Sequence, residues 1–433
     1  MSNILMTYEI EQSQVLAMAE KRSGDGPAWL RDLRTKGLKI HREHGIPTPK
    51  NEEWKYTPLR DVARVDYTVA EGGPAVFDQD FGSLSGSPIR IVMVNGRFDR
   101  NLSEVPAQTG LIACSLRDAW IEHEELVQAH LGQVARIEEH TFAALNTALF
   151  DDGLFICFKD GAAVEHVIEV IHVSSGEEMV VVPRTLIVAG ENASGKIVER
   201  YVTDGNSTCL TLPVTEVFTA RYANIEHVRV QDEATTNFHI GLWEIKQVEN
   251  SEYRSYNVAF GAKIGRLDQN IWLGGEHVVT RLDGVVVARG EQLLDNHTRL
   301  DHALPNCNSY EIYKQIIDDK ATVVFNGKIF VHQDAQKTDA EQTNQALLLS
   351  PTATINSKPQ LEIFADDVKC THGATVGQLE EEPMFYLRSR GVTKDKAEAI
   401  LVYAFAAEVL ELISDDTVRD NLEKRLFDKL AIL

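Results

Sequence analysis

The chain has 433 residues and a formal net charge of −22 at neutral pH, from 43 Lys and Arg against 65 Asp and Glu. Such a negative field repels phosphate backbones and anionic lipid surfaces, so neither nucleic acid nor a membrane is expected as a partner. Hydrophobic residues make up 43% of the chain and charged residues 25%, which is typical of a soluble globular protein with more than one structural region.

Cysteine usage and the start of the sequence favour a cytoplasmic protein. The five cysteines are few for the length, odd in number and far apart, and no CxxC pair or disulfide framework is visible. The first residues, MSNILMTYEIEQSQ, lack a basic segment followed by an apolar one, so they do not predict a secretory signal. No apolar run is long enough to span a bilayer.

The first region, residues 1–150, is predicted to be mixed and largely helical. Apolar residues from Trp29 to Leu38 recur at roughly helical spacing, and prolines end this pattern before about Arg60. The segment IRIVMVNGRF then predicts a strand that runs into an Asn-Gly turn. Helical stretches follow from about Leu116 to Leu149.

The second region, residues 151–377, has an all-β pattern. Short runs rich in Val, Ile and Thr, such as HVIEVIHV, TLIVA, KIVERYV and GVVVARG, recur at fairly regular intervals between turn-forming residues. A sandwich, a barrel and a β-helix are all compatible with this pattern. The lack of a repeat of fixed period argues against a strict solenoid. Short runs and an unbroken length of over ~200 residues favour a β-helix.

The third region, residues 378–433, is predicted to be helical. Its second helix contains AILVYAFAA, nine apolar residues in succession that cover the whole circumference of a helix. Either this helix is enclosed by its own domain or one of its faces is covered by a partner. A last amphipathic helix is predicted from about Thr417 to Leu430.

Between the second and third regions, Cys370 and His372 stand two residues apart in a predicted strand. Alternate side chains of a strand point to one face, so a thiol and an imidazole are presented together. These groups bind iron and zinc well, but a tetrahedral metal needs about four ligands, so further donors must come from elsewhere. The alternative is a buried cysteine that acts as a small apolar residue beside an ordinary histidine.

The face of the strand on which Cys370 and His372 lie depends on the sequence just before them. Leu361, Ile363 and Ala365 define an apolar face, and an unbroken alternation would place Cys370 and His372 on the opposite, more accessible face. The intervening pair of aspartates can instead form a turn or bulge that interrupts the alternation.

Two other segments carry weaker signals. GENASGKI nearly matches a phosphate-binding P-loop, but Ile197 replaces the required hydroxyl residue and both flanks predict strands, so we interpret it as a turn. The polar segment LLDNHTRLDHALPNC is interpreted as a loop between strands, and its histidines as weak signals for metal binding.

A resemblance to a known family rests on several of these segments. ADDVKCTHGATVG, FYLRSRGV, ILVYAFAAE and the N-terminal NEEWKYTPLR resemble SufD, of the SufB/SufD family of scaffold subunits in the Suf machinery that assembles iron–sulfur clusters. The resemblance implies a mainly β fold with helical ends, in which a right-handed parallel β-helix is flanked by N-terminal and C-terminal helical regions. It also implies a non-catalytic subunit that pairs with a SufB-like paralogue, while the C-terminal helical domain docks a SufC-like ATPase.

The resemblance also assigns roles to residues. His372 would be a candidate ligand or proton relay at a cluster-assembly interface, with Cys370 beside it. The resemblance further implies that the cluster is transient in the complex and that the chain alone binds no cofactor. The position of the paralogue's sulfur-accepting cysteine corresponds to Asn344, which cannot carry a persulfide. The helix that would bind the ATPase includes Ile400, Val402, Tyr403, Phe405 and Val409.

Two enzyme functions are kept as alternatives. A β-helix enzyme acting on acidic polysaccharide needs Asp, Arg or Lys concentrated along one face, and no regular ladder of these is visible in the sequence. A Cys–His enzyme would use Cys370 as nucleophile and His372 as base, but no orienting residue is apparent. Whether the isolated chain forms a homodimer stays open, although an exposed β edge would favour one.

Overall fold

Parallel strands stacked in two sheets form the centre of the molecule. The computed structural model describes residues 13–70, 81–205 and 207–431. They form a β-solenoid of about 8 turns with helices at both ends, which confirms the predicted mainly β fold with helical ends. Within the described residues, no helix is both long enough and apolar enough to cross a membrane.

The described residues of the N-terminal region form six α-helices, one 3-10 helix (Glu52–Trp54) and four short strands. In the predicted Asn-Gly turn, Asn95 and Gly96 both have positive φ angles (51° and 80°) and join two antiparallel strands. The elements are α1 (Ser13–Ser23), α2 (Ala28–His44), α3 (Arg60–Ala63), β1 (Thr68–Val69), β2 (Arg90–Val94), β3 (Arg97–Phe98), β4 (Leu111–Ser115), α4 (Leu116–Glu122), α5 (Glu124–His130) and α6 (Thr141–Leu149).

The solenoid contains most of the strands. They are β5 (Leu154–Phe158), β6 (Ile168–Ser174), β7 (Glu177–Val181), β8 (Arg184–Ala189), β9 (Ser194–Thr203), β10 (Thr208–Thr211), β11 (Val214–Thr219), β12 (Asn224–Asp232), β13 (Phe238–Gln247), β14 (Glu252–Ala259), β15 (Ile264–Leu273), β16 (Val279–Ala288), β17 (Leu293–His302), β18 (Asn308–Ile317), β19 (Thr322–Val331), β20 (Asp339–Leu348), β21 (Thr354–Ile363) and β22 (Lys369–Gly377).

Strands of successive turns pair in parallel. One sheet has the order β22-β20-β18-β16-β14-β12-β9-β6-β2, and the other has the order β21-β19-β17-β15-β13-β11-β8-β5. The spacing between paired residues varies along the stack: Phe238 pairs with Ile264, 26 positions later, and Thr322 pairs with Thr354, 32 positions later. Because turn length varies in this way, the solenoid shows no fixed period in the sequence.

Apolar residues stack in columns inside the solenoid, one from each turn. The column that runs through β8, β11, β13, β15, β17, β19 and β21 consists of Ile187, Val217, Ile245, Ile271, Leu300, Ile329 and Leu361. The first six are fully or almost fully buried, and Leu361 in the last turn is partly buried. Burying each such side chain contributes about 1.5–3 kcal/mol, so these columns hold successive turns in register.

A fully buried ion pair attaches the N-terminal region to the solenoid. The guanidinium group of Arg184 on β8 donates to Glu216 on β11, and neither side chain is exposed. Glu216 also accepts hydrogen bonds from the backbone N–H groups of Gly132, Val134 and Ala135, between α5 and α6. One carboxylate therefore ties the loop before α6 to the sheet.

Three helices follow the last strand: α7 (Glu381–Ser389), α8 (Lys394–Leu410) and α9 (Asp416–Ala431). The ammonium group of Lys314 on β18 pairs with Glu408 of α8 at 2.5 Å, and the hydroxyl group of Tyr256 on β14 donates to the carbonyl of Leu412 at 2.8 Å. These contacts hold the helices against the side of the solenoid. Element type changes near residues 150 and 377, where the predicted domain limits lie, and the division into domains stays a prediction.

Candidate functional site

The C-terminal end of the solenoid is open. Among the described residues, β21 pairs only with β19, and β22 pairs only with β20, so each sheet ends in a strand with one unpaired edge. Side chains of β22 are mostly exposed, in contrast to the buried strands of earlier turns. The two predicted site residues, Cys370 and His372, lie on this terminal strand.

Cys370 and His372 face the same way on β22 because alternate residues of a strand share a face. Cys370 is partly buried and packs against the main core cluster, together with Leu361 of β21. The chain turns between β21 and β22, so the alternation that begins at Leu361 does not continue into β22. Cys370 packs against the same core as Leu361, so Cys370 and His372 do not lie on the face opposite Leu361. The chain bends at residues 366–367, the pair of aspartates at which the sequence allowed an interruption of the strand.

The environments of the two side chains differ. Burial raises the pKa of the Cys370 thiol, and the nearby charge of Asp339 raises it further, so the thiol form is favoured in the isolated chain. His372 is exposed to solvent. An exposed imidazole beside a partly buried thiol can be reached by a second protein or by a metal ion at the open end.

A row of buried polar residues leads to the terminal strand from inside the solenoid. Gln342 on β20, which is paired in register with His372, donates to Glu311 on β18 at 2.6 Å. Burial raises the pKa of Glu311 to about 7, against the hydrogen bond from Gln342 that lowers it. The polar interior therefore continues to the strand beside His372.

Asn344 lies in the same row, two residues beyond Gln342. It is buried, pairs in register with Ala374 on β22, and donates from its amide nitrogen to the Ser357 hydroxyl at 2.8 Å. The position predicted to correspond to a sulfur-accepting cysteine is therefore next to the terminal strand. Here it carries an amide that supports the last turn and has no thiol.

A metal would need ligands beyond this pair. Within residues 13–70, 81–205 and 207–431, no group of three or more His, Cys, Asp and Glu side chains is placed to hold a metal ion. Cys370 and His372 can supply at most two donors of the types that iron accepts. The remaining donors of any cluster held here would have to come from another chain or from sulfide.

The C-terminal helices expose an apolar surface that differs from the one the sequence suggested. Val402 and Val409 of α8 are buried in the helical domain and against the solenoid. Phe385 and Tyr386 of α7 and Ile400 of α8 are 74%, 55% and 43% exposed. We call these last three residues the α7–α8 patch.

The other two residues predicted on this helix are partly buried. The Tyr403 hydroxyl donates to Glu423 of α9 at 2.9 Å, and the ammonium group of Lys314 lies 4.7 Å from the centre of the Phe405 ring. Both side chains therefore have partners within the chain, and α8 is covered on one side by its own domain. Their predicted contact with an ATPase stays a prediction.

A ladder of charged and polar residues on the outer face of the second sheet was not predicted from the sequence. In successive turns, His297 pairs in register with Asp268 and Asn326, and Arg299 pairs with Asn270 and Lys328. The segment interpreted as a loop, LLDNHTRLDH, is β17 itself, so that interpretation is wrong. Its pattern was obscured because polar residues occupy both faces of the strand.

The ladder charges neutralise one another and hold the N-terminal motif NEEWKYTPLR. Arg266 contacts Asp268 at 2.7 Å and Asp295 at 3.0 Å, while Trp54 of the motif lies 3.9 Å from the guanidinium of Arg266. Burial and Arg266 oppose the protonation of His297, but Asp295 and Glu53 outweigh them and raise its pKa to about 9. The ladder thus has a structural role. Because its carboxylates Asp268 and Asp295 are paired with Arg266, they do not support the alternative of a polysaccharide-acting enzyme.

The segment that nearly matches a P-loop is a turn, as predicted. Residues 190–193 connect β8 to β9, both of which are strands, so no helix N-terminus is available to hold phosphate at this position.

Comparison with known proteins gives consistent results over most of the chain. A family model described as the SufBD core domain of SUF system FeS cluster assembly matches residues 172–405, and one for the SufBD protein N-terminal region matches residues 17–170. The iron–sulfur cluster assembly protein SufD of Escherichia coli is 31% identical over 390 residues, covering 89% of this chain and 90% of the relative.

Further relatives come from photosynthetic organisms. An iron–sulfur cluster assembly SufBD family protein of Synechocystis is 32% identical over 395 residues, covering 88% of this chain and 86% of the relative. The chloroplastic protein ABCI7 of Arabidopsis thaliana is 36% identical over 243 residues, covering 55% of this chain and 51% of the relative.

Proposed function

The chain belongs to the SufBD family of iron–sulfur cluster assembly proteins, and from that premise we propose that it is a non-catalytic scaffold subunit whose open solenoid end pairs with a SufB-like paralogue. The observation that carries this proposal is the terminal strand β22, which presents Cys370 and His372 beside an unpaired edge. Unpaired strand edges readily form β-sheet hydrogen bonds with another chain, because their N–H and C=O groups otherwise have only water to bind.

A second solenoid with a similar open end would complement this one. Each of the two sheets ends in a strand with a free edge, so a paralogue could continue both sheets through backbone hydrogen bonds. A second copy of this chain could use the same edges, which makes a homodimer the expected state in isolation. The heteromeric pair is proposed as the functional one because Asn344 supplies no thiol to accept sulfur.

The iron–sulfur cluster is the cargo of this assembly. His372 would supply one imidazole ligand or a proton relay, Cys370 lies beside it, and the partner would supply the other donors and the sulfur-accepting thiol. Binding a cluster through the thiolate of Cys370 would have to overcome its raised pKa, which the positive charge of iron would do.

We expect His372→Ala to lower the cluster yield of the complete complex by at least about tenfold, since loss of one ligand or orienting group typically costs that much metal affinity. His372 is exposed, so the substitution should leave the fold and the association unchanged. The measurement is iron and acid-labile sulfide per complex after reconstitution. Thr371→Ala, the exposed neighbour on the other face, is the matched control. An unchanged yield in His372→Ala would remove this residue from the proposal.

The C-terminal helices are proposed to dock a SufC-like ATPase through the α7–α8 patch. Three large apolar side chains exposed within two adjacent helices are typical of a protein interaction site. Lys314 and Glu408 tie α8 to β18, so movement of the docked ATPase would be transmitted to the solenoid.

We expect Phe385→Asp to weaken ATPase binding at least about thirtyfold, the cost of losing a central aromatic anchor. Phe385 is 74% exposed, so the substitution should not disturb folding, whereas Val402→Asp would bury a charge in the domain's own core. Phe427→Asp, at a 48% exposed phenylalanine of α9, is the matched control. Titration calorimetry with the ATPase gives the affinities. Equal affinity of Phe385→Asp and the unmodified chain would contradict docking at this patch.

A cytoplasmic location is proposed on the cysteines. All five are free, and Cys157, Cys209 and Cys307 are buried within the fold. A reducing compartment keeps such thiols free.

A further inference from the structure

The scaffold function proposed above does not use a cationic cavity that lies in the N-terminal region. It has a volume of about 390 Å³ and lies between α1, α2, the loop that joins them, β3 and α4. Five cationic and two anionic side chains line it, although the whole chain carries a net charge of −22. The charged lining residues are Lys21, Arg22, Arg34, Arg97, Arg117, Asp25 and Asp151.

The innermost of these cations is Arg34 of α2, which is 2% exposed. Its two terminal nitrogens donate to the backbone carbonyl groups of Asp25 and Phe150, both at 2.8 Å. Its Nε–H is buried and has no hydrogen-bond partner in the described part of the chain. Carbonyl groups fix the orientation of this guanidinium group, and it forms no ion pair with a carboxylate in the described part of the chain.

Asp151 is the carboxylate that the arginines share. Its carboxylate lies 3.2 Å from Arg22, 2.6 Å from Arg97 and 3.5 Å from Arg117. Burial opposes its ionisation, but Arg97, Arg22 and Arg117 outweigh burial and lower its pKa. The single carboxylate of Asp151 is therefore shared by three guanidinium groups.

The charged form of Arg34 is destabilised mainly by burial. Burial lowers the pKa of the Arg34 guanidinium group to about 10, with Arg22 and Arg117 adding to the effect and Asp151 and Asp25 opposing it. A bound anion would offset the cost of burying this charge and the repulsion from Arg22 and Arg117.

We propose that this cavity binds a small, multiply charged oxyanion, such as a molecule with two phosphoryl or carboxylate groups. Guanidinium groups bind such oxygens through paired, charge-assisted hydrogen bonds, and a partly buried setting strengthens them. The volume suits a small molecule of this kind. At the rim, Arg117 is 52% exposed at its side chain and Lys21 is exposed, with no ion pair to another described residue, so both can contact the ligand.

The test is calorimetric titration of the full-length chain with inorganic pyrophosphate and, separately, with citrate, at low ionic strength and neutral pH. We expect saturable binding of at least one of them with one site per chain. Binding of pyrophosphate alone would identify phosphoryl oxygens as the ligand chemistry, and binding of citrate alone would identify carboxylates. Absence of binding by both would overturn the proposal.

Variants locate the binding to the cavity. Lys21→Gln combined with Arg117→Gln should weaken binding at least about tenfold, because each removes a charged hydrogen-bond donor. Both side chains are exposed, so the fold should be retained, which a circular dichroism melt would check. Lys39→Gln combined with Lys50→Gln removes the same charge elsewhere in this region and should change the affinity less than about twofold. Equal weakening by both pairs would show general charge attraction and overturn the site.

Discussion

Glu216→Ala is expected to lower the free energy of unfolding by about 3–5 kcal/mol, the usual cost of removing one partner of a buried ion pair. The substitution would leave the Arg184 guanidinium group buried without its counter-charge. It would also remove the acceptor for the N–H groups of Gly132, Val134 and Ala135. Both effects loosen the loop before α6 from the solenoid, and chemical denaturation followed by tryptophan fluorescence would measure them.

The matched control for this prediction is Glu249→Ala, which breaks a surface ion pair. Glu249 contacts Arg221 at 3.2 Å, and the two side chains are 46% and 51% exposed. Exposed pairs contribute about 0–1 kcal/mol, so the control should be nearly as stable as the unmodified chain. Similar losses in both variants would show that burial of the Arg184–Glu216 pair has no special role.

Ala374→Pro is expected to weaken pairing with the SufB-like paralogue at least about a hundredfold, through a lost backbone hydrogen bond and a ring placed against the partner strand. The N–H of Lys369 points to the neighbouring strand, where it donates to Thr338. Because successive N–H groups of a strand point to opposite edges, the N–H of Ala374 points to the free edge. A proline there spares the pairing of β22 with β20.

Ala374→Ser is the matched control, since it changes the side chain but keeps the backbone N–H. Affinity would be measured by titration of each variant with the purified paralogue, and circular dichroism would confirm that the solenoid is intact. Full affinity of a folded Ala374→Pro variant would show that the free edge of β22 is not the pairing surface.

Much of the fold could be predicted because short apolar runs separated by turn residues mark β-strands even without an exact repeat. The repeat itself was hidden, because paired residues of successive turns are 26 to 32 positions apart. Strand β17 was missed because polar residues such as Asn296 and Thr298 point inwards while His297 and Arg299 point outwards. Some of these groups have partners on other strands, as where Asn257 of β14 donates to Asn296 at 2.9 Å, and a single sequence does not reveal such partners.

The candidate site was predictable only in part. Strand alternation places Cys370 and His372 on one face, and that follows from their spacing alone. Their accessibility depends on where the stack of turns ends, which is a property of the whole solenoid. Likewise, nine apolar residues in succession cannot show which side of α8 is covered, so Val402 and Ile400 looked equivalent although one is buried and the other exposed.

We propose that this chain works as one member of a scaffold and not alone. The most direct test is to co-express it with the SufB-like and SufC-like proteins of its source organism and to determine the mass of the purified species by light scattering. We expect a defined complex that contains all three proteins. A chain that stays alone, or pairs only with a second copy of itself, would contradict it.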